Sequence, residues 1–357
     1  ATDANSAFSL YNPRTGRYAA GLLALLGVEP EKLPPVLEPT GVVGCVTPEA
    51  ASATGLRLDT PIVTGTIDAW CEIIGCGGSA PGCAVDVAGT SEVVALVTAE
   101  MVDGEGVFGA SLAEERYWVG GPMQAGGAAL VWLAQCFYGQ EQPDFGLLEA
   151  EADAITPGAE GLLFLPYLQG ERAPVWDPAA RGAFVGLTVR HTRAHCARAV
   201  YEGVAFAVRD LLERCQAAAG FTPDVLRVSG GGAASAFWNQ VKADVTGLPV
   251  QRMTVPDVAC LGAALLAAVG VGSFDQAQDK PFDQAQDKPF DQVQDKPFNQ
   301  AQDKPCDRLA AATRAMVRVK DTFKPVPAHV ARYDKSFAVW RRLYPALRPV
   351  FSQLESL

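Results

Sequence analysis

The chain is poor in the residues that several function classes need. Its 357 residues include three histidines, His191, His195 and His329, and its nine cysteines (45, 71, 76, 83, 136, 196, 215, 260 and 306) contain no Cys-x-x-Cys pair. No zinc-type cluster can therefore be assembled from spacing. An odd number of thiols, several in apolar helical stretches, reads as buried, reduced cysteine in a cytoplasmic protein. Basic runs are absent and the net charge is −11, which argues against a nucleic-acid surface. The longest apolar run, Val258–Gly272, is rich in glycine and alanine. It falls short of the roughly 20 residues of a membrane span and reads as a buried helix. The sequence opens at Ala1-Thr2-Asp3 without an initiator methionine, so an upstream part is expected to be missing.

What is present is the composition of an ordinary globular protein, 49% apolar and 19% charged, at a length that accommodates two domains. Hydrophobic periodicity predicts a helix over Tyr18–Leu26 that stops at Gly27, and a strand over Pro61–Ile67 ending at Asp68. A short helix then runs from Ala69 to about Ile74. Ala84–Ala88 and Val93–Val97 read as a β-hairpin across Gly89-Thr90-Ser91. From about residue 120 helices are expected to dominate, at Gly126–Tyr138 and at Thr192–Ala219, where Val200, Val204, Val208, Leu211, Leu212 and Cys215 keep helical spacing. Further on, the pattern predicts strand Val225–Ser229, helix Ser235–Thr246, strand Val250–Met253 and helix Cys260–Val269. Helices at Leu309–Val319 and Ser336–Leu347 close the chain. Alternating βα units of this kind imply an α/β architecture.

Residues 274–305 interrupt the pattern with four consecutive octapeptides, Phe274–Pro281, Phe282–Pro289, Phe290–Pro297 and Phe298–Pro305. Seven Asp against four Lys contribute −3 of the −11. One aromatic and one proline per unit cannot build a packed layer, so a solvated, mobile surface insertion is expected rather than a repeated docking motif.

Four places could carry chemistry. In Val225–Gln240 a β-branched strand stops at Gly230, Gly231 and Gly232 and a helix begins near Ser235. This arrangement lets backbone N–H groups approach a phosphate or nucleoside with no Cβ in the way. No Gly-Lys-Ser/Thr follows, so it is not a Walker A loop. The acidic residue of a dinucleotide fold is also missing at the right distance, since Asp257 stands in a Pro-Asp turn. Asp68, between a strand and a helix, could handle a ligand or simply cap the helix. Gly89, Thr90 and Ser91 offer amides and two hydroxyls to phosphate oxygens, or form a plain polar turn. Arg172 and Arg181, in the segment Gly170–Gly182, read as members of a loop held by Glu–Arg and Asp–Arg pairs.

The order of these pieces resembles the FGGY carbohydrate kinases, the xylulokinase-like branch in particular. The resemblance rests on the strand ending in Asp68, the Gly-Thr-Ser hairpin, Gly170-Glu-Arg-Ala-Pro with Ala180-Arg-Gly, Gly182-Ala-Phe-Val-Gly186-Leu187, and Gly230-Gly-Gly with Phe237-Trp-Asn-Gln and Gly247-Leu-Pro-Val. It covers the chain apart from the repeats. It implies an actin-like (ribonuclease-H-like) fold with an incomplete first domain: residues 1–82 would be the remainder of the sugar-side domain and 83–357 the nucleotide-binding domain. It further implies ATP and a sugar in the cleft, Asp68 as general base, Gly89, Thr90 and Ser91 as a phosphate loop, and Gly230, Gly231, Gly232 and Ser235 on the adenosine side. Mg²⁺ would come with ATP, held by phosphates and water. No nucleic acid or membrane partner is implied, and a homodimer is left open.

Departures from the family pattern accompany the match. No Asp-x-Gly-Thr hairpin, the family's first phosphate loop, precedes the match. Ala69 and Trp70 follow Asp68, where an Asn or Gln that contacts sugar is common, which leaves the sugar open. Glu92 follows the Gly-Thr-Ser loop where a small residue is more usual, and a carboxylate there would repel phosphates unless it points away. Cys196 replaces an aliphatic residue as a plain core change. Two other readings stand beside the kinase: a non-catalytic nucleotide- or sugar-binding paralogue of the same fold, and a dinucleotide-dependent dehydrogenase built on the Gly230 loop.

Overall fold

A computed structural model describes residues 10–124, 126–274 and 305–354, so the octapeptides beyond Phe274 lie outside the described residues. The first part of the chain is made of small elements. A two-residue pair, β1 (Tyr11–Asn12) and β2 (Arg17–Tyr18), leads to α1 (Ala20–Leu26), which Gly27 ends in the left-handed region. β3 (Val42–Cys45) and β4 (Pro61–Val63) pair antiparallel around α2 (Pro48–Thr54), whose first turn is capped by the Thr47 side chain. β4 is shorter than the expected strand. The chain turns at Gly65, which has φ 67°, before α3 (Asp68–Gly75) begins after an extended Ile67.

The body of the molecule is a seven-stranded mixed sheet. It starts with β5 (Ala84–Ala88), β6 (Glu92–Thr98), β7 (Phe108–Ala113) and β8 (Arg116–Met123), and then α4 (Gly127–Tyr138) and α5 (Phe145–Asp153). The pair β9 (Leu163–Leu165) and β10 (Ala183–Val185) precedes the long α6 (Arg193–Ala219), β11 (Leu226–Ser229), α7 (Ala236–Thr246), β12 (Val250–Met253) and α8 (Val258–Gly270). After the repeats come α9 (Pro305–Met316), β13 (Val319–Phe323), α10 (Pro327–Trp340) and α11 (Leu343–Leu354). Strand order is β13-β12-β11-β5-β6-β8-β7, with β12, β11 and β5 parallel and the other pairs antiparallel.

Side-chain alternation sorts the sheet into two apolar faces. Ala84, Val94, Leu96 and Val119 pack with α4, α6, α7 and α10, whereas Val85, Ala95, Val97 and Trp118 pack with α3, α8 and α9. The result is a three-layer α/β domain. Val200, Val204, Val208, Leu211, Leu212 and Cys215 are all buried along α6, as their spacing predicts. Residues Val258–Gly270 are buried on one face only: Val258, Gly262, Leu265, Leu266 and Val269 point inward while Cys260 is exposed. The expectation of uniformly buried thiols is corrected in the same way. Cys71, Cys76, Cys196 and Cys215 are buried, but Cys45, Cys136 and Cys260 are exposed.

Three regions depart from expectation. β7 and β8 escape notice because glycines dilute their apolar pattern and because their turn uses Glu114 and Glu115, both at positive φ (49° and 57°), where Asn-Gly or Asp-Gly usually announces a hairpin. The helix expected over Leu309–Val319 ends at Met316, and Val319 instead opens β13, which was not expected and pairs antiparallel with β12. The last helical stretch starts earlier, at Pro327, and breaks at Arg341 and Arg342.

α3 and α8 cross with their backbones in contact. A Cβ on Gly262 would lie 1.9 Å from the Cys71 carbonyl oxygen, and one on Gly75 would lie 1.9 Å from that of Val258. No side chain fits at either crossing point, so we predict that Gly262→Ala destabilises the protein by at least about 2 kcal/mol in urea denaturation. A loss below about 0.5 kcal/mol, the range of an inert surface change, would show that the helices separate freely.

Candidate nucleotide and sugar site

Three chain segments meet at one end of the sheet. The turn between β5 and β6 is closed by the Gly89 N–H donating to the Ser91 carbonyl at 3.0 Å. The start of α4 rests on this turn, with Gly127 N–H donating to the Gly89 carbonyl (2.9 Å) and Ala128 N–H to that of Thr90 (3.0 Å). Glycine is needed here because a Cβ on Gly126 would come within 2.8 Å of the Glu92 side chain, and one on Gly127 within 2.9 Å of the Gly89 oxygen. From the other side the loop after β11 settles on Ala88. Gly230 adopts φ 77°, and a Cβ there would sit 2.6 Å from the Ala88 oxygen. Asn239 braces this loop through Nδ2 to the Ala233 carbonyl (2.9 Å).

Between these segments lies a cleft of about 580 Å³. Gly89 and Thr90 line one wall and Gly231, Gly232 and Ser235 the opposite one. Leu130 and Val131 of α4, Phe145, Tyr201 and Trp238 supply an apolar floor, and Glu149 adds one carboxylate. Ser235 caps α7, its hydroxyl oxygen accepting the Trp238 N–H at 2.9 Å, which leaves the hydroxyl proton free for a ligand. The Tyr201 hydroxyl is buried without a hydrogen-bond partner. At Gly231 nothing lies within 4 Å of a built Cβ and φ is not positive. The fold does not require glycine there, yet the position faces the cleft. A nucleoside phosphate fits this set, with an apolar bed for a base, and amides and hydroxyls on both walls.

The expected site residues thus separate into groups. Gly89, Thr90, Gly231, Gly232 and Ser235 share the cleft, while Gly230 supports it from behind and lines a neighbouring recess of about 210 Å³. The Ser91 carbonyl closes the turn, and Ser91 does not line the cleft. Asp68 is exposed and does not line it either. It is the first residue of α3, with Ile67 in the cap position and Asp68 Oδ1 accepting only the Ala69 N–H (2.7 Å), so the simple capping role is not what it performs. One turn on, Glu72 accepts a hydrogen bond from Ser229 (2.8 Å), the residue before Gly230, and this moors α3 to the glycine loop. Burial pushes the Glu72 carboxyl up, the Ser229 bond opposes this, and the nearby charges of Asp68 and Asp257 add to the rise. Asp257 caps α8 by accepting the Cys260 N–H (3.1 Å), which occupies the acid that a dinucleotide fold would have needed.

The Gly170–Gly182 loop is ordered differently from expectation. One oxygen of Glu171 accepts the N–H groups of both Gln124 and Arg172, and the Arg172 guanidinium donates to the Met123 carbonyl (2.8 Å). Burial pushes Glu171 up to about 7 against these bonds. Arg181 donates to the Pro178 and Ala180 carbonyls, and Asp177 accepts from Tyr344 and Ala179. The loop is tied mainly by carboxylate and guanidinium bonds to backbone, and it docks on the end of β8 beside the Gly89–Ser91 turn.

Comparison with known proteins agrees with this geometry. Sequence models of the FGGY family of carbohydrate kinases match the chain twice, the C-terminal domain over residues 84–271 and the N-terminal domain over residues 1–75. The chain belongs to the FGGY family of carbohydrate kinases. A xylulose kinase of Staphylococcus epidermidis is 30% identical over 90% of this chain and 58% of its own length. A gluconokinase of Bacillus licheniformis is 30% identical over 76% of this chain and 55% of its own. Among solved structures, a xylulose kinase from Rhodospirillum rubrum superposes with TM-score 0.79 at 30% identity, covering 98% of this chain and 65% of that one. The chain therefore spans somewhat over half the length of these relatives, and its fold is the ribonuclease-H-like, actin-like fold that the sequence resemblance implies. Among the described residues no helix is long and apolar enough to cross a membrane.

Sequence reasoning missed Gly126 and Gly127, Phe145, Glu149, Tyr201 and Trp238. The consecutive glycines before an apolar helix were the available signal for the first two. The others are separated along the chain and meet only through the helix packing.

The two glycine roles can be separated by experiment. We predict that Gly231→Ala changes stability by less than about 0.5 kcal/mol and weakens ADP binding about tenfold or more by calorimetry. In contrast, Gly230→Ala should destabilise the fold by over about 1 kcal/mol through its positive φ and its contact with Ala88. Equal loss of stability in both variants would remove the case for Gly231 as a ligand-facing position.

Proposed function

We propose that the chain provides the nucleotide side and part of the sugar side of an ATP-dependent kinase that phosphorylates a sugar hydroxyl, with a ketose such as xylulose as the substrate. The observation that carries this reading is the convergence of the Gly89–Thr90 turn and the Gly231–Ser235 segment on a single cleft. Residues 1–82 then form the remainder of the sugar-side domain and 83–357 the nucleotide-side domain. The family matches over 1–75 and 84–271 support that division. The ketose is favoured because the xylulose kinase of Staphylococcus epidermidis aligns with a larger share of this chain than the gluconokinase does.

Asp68 is the base in this reading. As the sugar hydroxyl oxygen forms its bond to the γ-phosphorus, the carboxylate accepts the hydroxyl proton, and the bond from phosphorus to the departing ADP oxygen breaks. Its exposed place at the start of α3 suits the task, since the carboxylate is open to an approaching hydroxyl. The mooring of Glu72 to Ser229 supports the reading by tying that helix end to the glycine loop. The hydroxyls of Thr90 and Ser235, with the amides around Gly231 and Gly232, are the groups offered to phosphates.

Among the described residues no three His, Cys, Asp or Glu side chains gather as a metal cage. In this reading a divalent ion comes with the nucleotide as its counter-ion.

The test is sugar-dependent ADP release over a panel of ketoses, aldonic acids and polyols, made on this chain and on a form extended to the length of its relatives. We expect ketose-stimulated turnover in the extended form. Asp68→Asn should lower it by about 10²- to 10⁴-fold while leaving ADP affinity within about threefold. Near-normal turnover in Asp68→Asn would remove the base assignment. Nucleotide binding without turnover on any sugar would favour the non-catalytic paralogue.

A further inference from the structure

Directly beneath the phosphate turn lies a buried charge cluster that the reaction does not use. Asp86 stands on β5 just before the turn and Glu92 is the first residue of β6 just after it. Lys242, on α7, inserts between them and donates to Asp86 Oδ2 at 2.6 Å and to Glu92 Oε1 at 3.1 Å. The three residues are 0 to 1% exposed. This resolves the mismatch of a carboxylate next to a phosphate loop, because Glu92 turns away from the cleft and into the domain. The cluster joins both walls of the cleft. β5 and β6 carry Gly89 and Thr90, α7 carries Ser235 and Trp238, and the Lys242 ammonium lies 4.5 Å from the Trp238 ring centre.

The charge count is unbalanced. Two carboxylates face one ammonium, and Asp86 Oδ1 and Glu92 Oε2 are buried with no hydrogen-bond partner. A buried net charge is costly unless a proton removes it. Burial, then the charge of Asp86, hold the Glu92 carboxyl well above the ordinary carboxylate range, with Lys242 opposing them. β8 places Met123 opposite Glu92 and the start of α4 places Gly126 against it, while the neighbouring loop brings Glu171, which accepts the Gln124 N–H, and Arg172, which donates to the Met123 carbonyl.

We propose that Asp86, Lys242 and Glu92 are positioning residues whose protonation is coupled to nucleotide binding through the Gly89–Ser91 turn that they support. The proposal rests on the nucleotide reading of the cleft. Phosphates held at the turn bring negative charge toward the cluster and favour its neutral form, in which Glu92 carries a proton. The sign follows from this. At low pH Glu92 is neutral whether or not ligand is bound, and binding carries no penalty. As pH rises through the Glu92 ionisation, the free protein loses the proton, and the bound state must recover it or accept the repulsion. Affinity for a nucleoside phosphate therefore falls with rising pH.

Glu92→Gln fixes the neutral state at every pH, and its comparison with the unsubstituted protein is the test. ADP affinity is measured by calorimetry from pH 5.5 to pH 8.5 for both, so that the titration of ADP itself cancels in the ratio. We expect the two Kd values to agree within about twofold at the acid end and the unsubstituted protein to bind about tenfold more weakly at the alkaline end, as for one linked proton. If Glu92→Gln folds poorly, Glu92→Ala, which keeps the Asp86–Lys242 pair, serves for the same comparison. A ratio that stays constant across the range while ADP binds would overturn the coupling and leave the nucleotide reading in place. Absence of ADP binding in all proteins at all pH values would overturn both.

Discussion

The site depends on backbone meeting backbone around Ala88 and Gly89. Two segments distant in sequence, the start of α4 and the loop after β11, lie against this short stretch with no side chain between. Gly126, Gly127, Gly230 and Gly232 permit it because a Cβ on any of them would come within 3 Å of a neighbouring atom. Such contacts leave main-chain amides and small hydroxyls as the surface offered to a ligand. A charged side chain is not required on that surface, which explains how a protein of net charge −11 presents a cleft suited to an anion.

Further from the cleft, the same economy of side chains fixes α3. Gly75 and Gly262 let α3 and α8 touch, and the Glu72–Ser229 hydrogen bond joins α3 to the strand that ends in the glycine loop. The acid at the head of α3 and the glycine loop then belong to one rigidly packed layer. The opposite face of the sheet carries the burden of stability, with α6 running through a core in which 18 of its 27 residues are buried. The same layer also supplies the cleft's apolar floor, through Leu130 and Val131 of α4, Tyr201 of α6 and Trp238 of α7.

Much of this was legible in the sequence, for identifiable reasons. The β5–β6 hairpin, α4, α6, β11, α7 and β12 came out within a residue or two because each joins a clear period to a glycine or cap at its end. The convergence of Gly89, Thr90, Gly231, Gly232 and Ser235 followed from the order of motifs rather than from any one of them. β7 and β8 did not come out, since glycines break their alternation and Glu114 and Glu115 make an unmarked turn. The meaning of Glu92 was also hidden. Its partner Lys242 lies 150 positions away on another element, and neither residue signals the other before the sheet and α7 are packed together.

The central claim is that a nucleoside phosphate occupies the cleft between the phosphate turn and the glycine loop. Amide hydrogen exchange with and without ADP tests it most directly, because it reports where the ligand orders the backbone whether or not catalysis occurs. The account predicts that protection rises over residues 88–91, 126–131 and 230–238 and little elsewhere. Protection confined to the neighbouring recess around Thr254–Pro256, with those three segments unchanged, would contradict it.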